Sequence, residues 1–189
     1  MMAHYALNLP LSDADARMLR AGDTVVLTGP LLTGRDAAHK RLEALMDAGE
    51  PLPVDLTGET IYYVGPAPAS PGHTCGAAGP TSSYRMDFCT PALLRRGLRC
   101  MIGKGRRSQA VRDAMRACGA VYLGTVGGAA ALIARSIEKT EVVCYADLGT
   151  EAIHRFWVKD FPAVVLMDSV GGNLYESGPA LYRQEDAEA

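Results

Sequence analysis

The chain has 189 residues, of which 48% are hydrophobic and 21% are charged, and its formal net charge at pH 7 is −2. This composition is typical of one ordinary globular domain, and the small charge gives no electrostatic reason to expect a nucleic-acid or membrane partner. No segment approaches the roughly 20 apolar residues that span a bilayer and no secretory signal pattern is present, so we expect a cytoplasmic protein.

The first predicted elements are a strand, a helix and a second strand. A β-rich run at residues 24–28 predicts a strand that ends at a Gly-Pro turn, and Asp36 is placed to cap the helix that follows. Residues 60–64 predict another strand. Residues 67–80 are rich in Gly, Pro and Ser, and so long an irregular loop is more often functional than not.

The rest of the chain continues to alternate helices with strands, which indicates an α/β fold. A Gly-rich turn is expected at residues 124–128 and another turn at 171–173. We predict a single domain over residues 1–189, with its core at about 21–175 and a polar tail from about 183. The predicted helices lie at residues 90–96, 108–118 and 129–137, and the strands at 99–102, 120–123, 141–145, 156–158 and 163–167.

Three segments concentrate glycines and cations near the ends of predicted strands, where α/β sheets bind their ligands. They are residues 33–36, 79–87 and 103–108. In each segment a glycine allows close backbone approach, and the cation lies near a possible helix N-terminus, which itself favours anions. The pattern therefore predicts a site for a small polyanion such as a dicarboxylate.

Arg35 and Arg85 carry the planar fork that holds a carboxylate with two parallel hydrogen bonds, whereas Lys104 offers a compact charge. The alternative is that the arginines form surface ion pairs with adjacent residues, Arg35 with Asp36 and Arg85 with Asp87. Local sequence leaves both interpretations open.

Other familiar sites are not supported by the sequence. Residues 97–104 have one residue too many for a P-loop, and residues 124–128 lack dinucleotide-binding spacing. The histidines show no ligand spacing, and His39 is the best of them for a direct role because it lies one helical turn after Arg35. The odd number of cysteines, without a C-x-x-C pair, argues against a disulfide framework and a self-contained metal site. They are Cys75, Cys89, Cys100, Cys118 and Cys144.

Several ordered motifs resemble those of the class I, iron-sulfur-dependent fumarate hydratases, specifically their C-terminal β region. The resemblance runs in order from about residue 21 to residue 175, and the order and spacing of the motifs are more specific than any single one. The motifs are residues 34–41, 79–82, 85–87, 104–108, 119–124, 160–163 and 168–173.

This resemblance implies a single swivelling β/β/α domain that acts as the β subunit of a hydro-lyase. The implied reaction is the reversible hydration of fumarate to L-malate, as in the tricarboxylic acid cycle. A partner α subunit is expected to bind the 4Fe-4S cluster, with no metal ligand from this chain. Because only the β region is matched, and from near its start, we expect separate subunits in a heterodimer or heterotetramer.

The resemblance also assigns roles to five residues. Thr81 stands at the position of a candidate catalytic base, although a neutral hydroxyl needs activation by nearby charges to act as one. The implied substrate-binding residues are Arg35, Ser82, Arg85 and Lys104, of which Ser82 keeps the hydroxyl of a Thr that is common in relatives.

Two other functions stay open from the sequence. An L-tartrate dehydratase β subunit shares the Gly-Pro-Thr and Arg-Met segments and would perform the same elimination on a more hydroxylated acid. A non-catalytic module could use the same basic loops to bind an organic acid.

Overall fold

The computed structural model describes residues 2–125 and 128–183. Within these residues the chain forms a seven-stranded sheet packed against helices, so the predicted α/β class is confirmed at this level. The strands are β1 (His4–Asn8), β2 (Thr24–Thr33), β3 (Thr60–Tyr62), β4 (Cys100–Gly103), β5 (Val121–Gly124), β6 (Ile137–Cys144) and β7 (Ile153–Met167). The helices are α1 (Asp13–Met18), α2 (Asp36–Asp47), α3 (Thr90–Arg95), α4 (Gln109–Cys118), α5 (Ala130–Ala134) and α6 (Leu174–Tyr182), with 3-10 helices at Ser83–Met86 and Ala146–Glu151.

The sheet is curled and closes on itself through its longest strand. Strands β1 to β5 are parallel neighbours in chain order, whereas β7 is antiparallel to β2, β5 and β6. Since β7 pairs with both β2 and β5, the strands β2, β3, β4, β5 and β7 form a closed ring. The parallel strands point the same way, so their carboxyl ends meet at one edge of the ring.

Alternating side chains of the strands divide the core into two layers. On and after β3, Tyr62 and Val64 pack in the inner cluster, whereas Ile61 and Tyr63 pack in the outer cluster beneath α2, α3 and α4. Both faces of the strands are buried, as is usual for parallel strands covered by helices. These packed layers hold the strand ends at fixed positions, which any site built on them requires.

Helix α4 shows how local sequence sets the ends of an element. The hydroxyl of its N-cap, Ser108, accepts a hydrogen bond from the Val111 amide at 3.4 Å. Its C-cap, Gly119, has a φ of 69°, a left-handed conformation that glycine adopts without steric cost. Helix α4 therefore begins and ends where its sequence predicts to within one residue.

Several predicted boundaries were wrong. The Gly29-Pro30 turn lies inside β2, which bulges between Leu27 and Gly29. The predicted strands 156–158 and 163–167 are one strand, β7, which continues through Pro162. The predicted helix 129–137 ends at Ala134, and Ile137 already belongs to β6.

Among the described elements, the sequence did not predict β1, α1, α6 or the two 3-10 helices. The turn expected at residues 124–128 includes residues 126 and 127, which lie outside the described residues, as does the tail at 184–189. Among the helices of the described ranges, none is long and apolar enough to cross a membrane.

Candidate functional site

The structure places the five residues singled out in the sequence at the carboxyl ends of three neighbouring parallel strands. Arg35 follows β2, Lys104 directly follows β4, and the Thr81 amide donates a hydrogen bond to the carbonyl of Tyr63, just after β3, at 2.7 Å. Ser82 pairs with Lys104 in an isolated parallel bridge. We call this group of residues the strand-end site; its members are Arg35, Thr81, Ser82, Arg85 and Lys104.

Asp36 joins the two arginines of the strand-end site. Its Oδ1 lies 2.8 Å from the Nε of Arg85, and its Oδ2 lies 3.5 Å from the Nε of Arg35. Of the two alternative ion pairs, Arg35 with Asp36 is found, whereas Arg85 with Asp87 is not, because the Asp87 carboxylate pairs with Arg107 at 2.6 Å. Asp36 is the first residue of α2 and makes no side-chain cap, so the predicted capping role is also wrong.

A second carboxylate, that of Glu151, also contacts the Nε of Arg35. Its Oε1 lies 3.5 Å from the Arg35 Nε, and its Oε2 accepts a hydrogen bond from the Ala37 amide at 3.0 Å. Gly65 gives Arg35 room, since a Cβ there would lie 3.0 Å from the Arg35 Cδ and 3.1 Å from the Thr150 carbonyl oxygen. The arginine is therefore enclosed between a helix N-terminus and a glycine.

The loop that carries Thr81 and Ser82 is fixed to the end of β4 by the buried side chain of Ser83. The Ser83 Oγ accepts a hydrogen bond from the Lys104 amide at 3.1 Å and lies 2.8 Å from the Tyr122 hydroxyl. The Ser83 amide in turn donates to the Lys104 carbonyl at 2.9 Å. These bonds set the backbone of Lys104 relative to the hydroxyl-bearing loop.

The residues before Thr81 are held equally firmly. The Tyr62 hydroxyl donates to the Ala78 carbonyl at 2.5 Å, and the Ala78 amide donates to the Ala130 carbonyl at 3.1 Å. Burial raises the pKa of Tyr62 well above its ordinary value, so this hydroxyl stays protonated and available as a donor. The half-buried Thr81 therefore has a fixed backbone at the edge of the ring.

Arg107 is a structural residue that the sequence analysis did not single out. Its guanidinium is buried, pairs with Asp87, donates to the Thr90 hydroxyl at 2.9 Å and lies over the rings of Tyr63 and Tyr122. The Asp87 carboxylate also accepts from the Ser108 amide at 2.6 Å. The ion pair of Arg107 with Asp87 therefore connects the 3-10 helix that contains Arg85 to the start of α4. The only sequence signal was its place in the basic segment 103–108.

His39 lies under the site rather than in it. Its ring is fully buried, its Nδ1 donates to the Arg35 carbonyl at 2.9 Å, and its edge packs on Tyr63. Burial lowers the pKa of His39 from 6.5 to about 4, so the ring is neutral at pH 7. Since His39 holds the backbone of Arg35, its contact with the site is indirect.

The cysteines of this chain do not fit an iron-sulfur cluster. Cys89 and Cys100 are buried, and burial raises the pKa of both to about 12, so these thiols are protonated in the metal-free chain. Within residues 2–125 and 128–183, no group of three or more His, Cys, Asp or Glu side chains could hold a metal ion. We therefore derive no chemical step from a cluster bound by this chain.

The strand-end site has the chemistry of an anion site with hydroxyl groups beside it. No hydrogen bond from an Nη atom of Arg35 or Arg85 to the protein is found within the described ranges. The ends of both guanidinium forks are thus available to a carboxylate. Lys104 is exposed and adds a third cation, and its backbone pairs with that of Ser82, which follows Thr81.

The family model and the individual relatives that match this chain point to the same family. The family model described as the fumarase C-terminus matches residues 2–178. The chain is 41% identical over 174 residues to "Fumarate hydratase class I, anaerobic" of Escherichia coli, covering 90% of this chain and 32% of that protein. It is 39% identical over 156 residues to "Fumarate hydratase 2" of Leishmania major, covering 82% and 28% of the two chains.

A shorter relative matches over almost its whole length. The chain is 34% identical over 178 residues to "Putative L(+)-tartrate dehydratase subunit beta" of Methanocaldococcus jannaschii, covering 91% of each chain. By contrast, this chain spans only about a third of the length of the class I fumarate hydratases it matches, 32% for the Escherichia coli protein. The chain belongs to the fumarase C-terminus family and corresponds to the C-terminal, or β, region of the class I fumarate hydratases.

Proposed function

We propose that this chain is the β subunit of a class I fumarate hydratase, a hydro-lyase that interconverts fumarate and L-malate. The observation that carries the proposal is the joining of Arg35 and Arg85 through Asp36 at the strand-end edge that also holds Lys104. Two guanidinium forks and an ammonium group suit a substrate with two carboxylates. The family match supports the choice of reaction.

The cations have a second task in this reaction. When a proton leaves the methylene carbon of malate, negative charge develops on the adjacent carboxylate. Arg35, Arg85 and Lys104 would stabilise that charge, because fixed donors that face a developing anion lower the barrier without having to reorganise. Binding the carboxylates also orients the carbon that loses the proton.

Thr81 is our candidate for the group that moves the proton, with Ser82 binding the substrate beside it. The fixed backbone of Thr81 gives its hydroxyl a defined position, as acid-base catalysis requires. The cations of the strand-end site would favour the alkoxide form of Thr81 during the reaction.

The remaining parts of the enzyme belong to a partner in this proposal. The fumarate hydratases matched are about three times as long as the aligned region, whereas the tartrate dehydratase subunit is matched over 91% of its length. We infer that an α subunit completes a heterodimer or heterotetramer and binds the 4Fe-4S cluster, which would supply the Lewis acid. The closed ring with outer helices supports the swivelling β/β/α type of domain.

A second substrate, L-tartrate, is favoured by one observation. One relative that this chain matches over 91% of its length is named after tartrate dehydratase. Both substrates are dicarboxylates with a hydroxyl group that is eliminated as water, so the same three cations would serve either.

The test is a substrate comparison on the co-purified pair of this chain and its α subunit, prepared anaerobically. We expect kcat/KM for L-malate and fumarate to exceed that for L-tartrate by at least about 10-fold, the discrimination that one misplaced polar group produces. A higher kcat/KM for L-tartrate than for L-malate and fumarate would identify a tartrate dehydratase. Dicarboxylate binding without turnover of any of the three acids would instead indicate a binding module.

A further inference from the structure

Asp36 lies between two arginines in a way that differs from a surface ion pair. Each of its two carboxylate oxygens faces a different guanidinium, Oδ1 at 2.8 Å from Arg85 and Oδ2 at 3.5 Å from Arg35. The Asp36 side chain is only 22% exposed and is fixed at the first position of α2. Because the two arginines come from distant segments, one carboxylate sets their relative position.

The geometry points to Asp36 as a positioning residue that orients both guanidinium forks toward the substrate. Asp36 accepts a hydrogen bond from the Nε of Arg35 and forms a close ion pair with the Nε of Arg85, and within the described ranges no Nη atom of either arginine donates a hydrogen bond to the protein. The Nη1 and Nη2 ends can therefore bind a carboxylate of the substrate. The inference rests on the proposed function, because it assumes that the two forks bind the dicarboxylate that is hydrated.

Charge gives a second reason for a carboxylate at this position. Two guanidinium groups that share one small site repel each other, and without a counter-ion they would move apart into solvent. Asp36 removes this repulsion from the side away from the substrate. Glu151 adds a smaller contribution, since it contacts the Nε of Arg35 alone, at 3.5 Å.

An Asp36→Asn substitution separates orientation from net charge. Its amide has one oxygen and one NH2 group, so one of the two arginines must face a donor instead of an acceptor. If Asp36 only modulated the local field, its removal would make the site more positive, and the KM for a dianion would fall while kcat stayed unchanged. If Asp36 positions the arginines, kcat falls because the carboxylates are bound in the wrong orientation.

The chain contains a matched control in Asp13. It is also the first residue of a helix and bridges two arginines, with 2.7 Å to Arg17 and 2.9 Å to Arg99. Arg99 precedes β4, so this bridge lies at the amino ends of the parallel strands, opposite the strand-end site. Asp13→Asn therefore removes the same kind of contact without touching the site.

The first measurement uses the full chain alone and requires no activity. In 15N NMR spectra, we expect the Nε–H signals of Arg35 and Arg85 to shift and to exchange faster with water in Asp36→Asn than in the unaltered chain. The Nε–H of Arg107, which is buried against Asp87, should not change in either variant. Unchanged Arg35 and Arg85 signals would overturn the inference.

The second measurement is steady-state kinetics of the chain paired with its α subunit, below the unfolding temperature of each variant. We expect Asp36→Asn to lower kcat for malate by about 10- to 100-fold with less than about 3-fold change in KM, and Asp36→Glu to recover part of the loss. Asp13→Asn should retain normal kinetics. Equal kcat for Asp36→Asn and Asp13→Asn would reject the positioning role. An inactive unaltered pair would instead refute the proposed function, and the NMR result would still decide whether Asp36 orders the arginines.

Discussion

A lysine cannot reproduce the contacts of either arginine in the strand-end site, because its single charge lacks the planar fork. We expect Arg35→Lys and Arg85→Lys each to lower kcat/KM for malate. The loss should correspond to on the order of 2 to 4 kcal/mol of transition-state stabilisation. Arg41→Lys is the control, since Arg41 lies in α2, the helix that follows Arg35, and pairs with the exposed Asp147. Circular dichroism should show an intact fold for each variant. Near-normal kinetics for Arg35→Lys and Arg85→Lys would instead indicate that both arginines form surface ion pairs and do not bind the substrate.

Thr81 distinguishes a chemical role from a structural one. If its hydroxyl moves the proton, Thr81→Ala should reduce kcat by about 100-fold or more with little change in KM, and Thr81→Ser should retain part of the activity. If Thr81 only shapes the loop, Thr81→Ala should cost no more than roughly 1 kcal/mol of stability. The decisive measurement is solvent-isotope exchange at the methylene carbon of malate, and exchange at the normal rate in Thr81→Ala would exclude the role.

The buried neutral ring of His39 makes the stability of the fold depend on pH. Its pKa is lowered from 6.5 to about 4, so the unfolded chain binds a proton there between these values while the folded chain does not. Stability from this group is fully present above pH 6.5 and is lost as pH falls toward 4, by about 3 kcal/mol. Urea unfolding from pH 7 to 4.5 should show a smaller loss for His39→Phe than for the unaltered chain. His73→Asn, in an exposed loop, should keep the full loss.

At the level of elements, β4 packs tightly at Gly103 against Ser83, which follows the loop that carries Thr81. A Cβ at Gly103 would lie 2.0 Å from the Ser83 Oγ and 3.0 Å from the Tyr63 ring, so Gly103→Ala should destabilise the fold by about 1–3 kcal/mol. The double variant Gly103→Ala/Ser83→Ala should be less destabilised than the sum of the two single changes, because it removes the clashing atom. Gly178→Ala, with 3.7 Å to Leu174, is the control for urea unfolding. Additive losses would contradict this steric account.

The sequence predicted β3, β4 and β5 to within two residues because each is a buried apolar run bounded by turn residues. The predictions were wrong where pairing between distant segments sets the boundaries of an element. Pro162 suggested a break, yet it lies within β7 opposite Val26, next to an Asp160 with a φ of 51°. The apolar run at residues 129–137 is divided between α5 and β6, and periodicity cannot separate a helix from a strand over so short a run.

The same limit applies to the strand-end site. Its members could be predicted to lie together, because the ends of neighbouring parallel strands share one edge. The pairing of Arg85 with Asp36 instead of the nearby Asp87 could not be predicted from the sequence, because it depends on how the 3-10 helix packs beside α2. The burial of Arg107 could not be predicted either, because its partners are distant from it in sequence, at Tyr63, at residues 87–90 and at Tyr122.

At the scale of the whole molecule, the net positive charge of the strand-end site is smaller than the negative charge of the proposed substrate. Its three cations, Arg35, Arg85 and Lys104, are accompanied by the carboxylates of Asp36 and Glu151. These groups leave one positive charge in surplus, whereas a dicarboxylate carries two negative charges. The balance would come from the partner in the proposed complex, which agrees with the open position of the site at one edge of the ring.

In the proposed function, a partner α subunit and not this chain binds the iron-sulfur cluster. We expect the isolated chain, after anaerobic reconstitution with iron and sulfide, to bind less than about 0.1 cluster per chain, because its thiols are spread through the fold and several have a raised pKa from burial. It should also lack hydratase activity. The co-purified pair, treated in the same way, is the control and should contain a full complement of iron and sulfide together with activity. A stoichiometric cluster on the chain alone would contradict this division, and it would then require ligands that involve residues outside the described ranges or a rearranged fold.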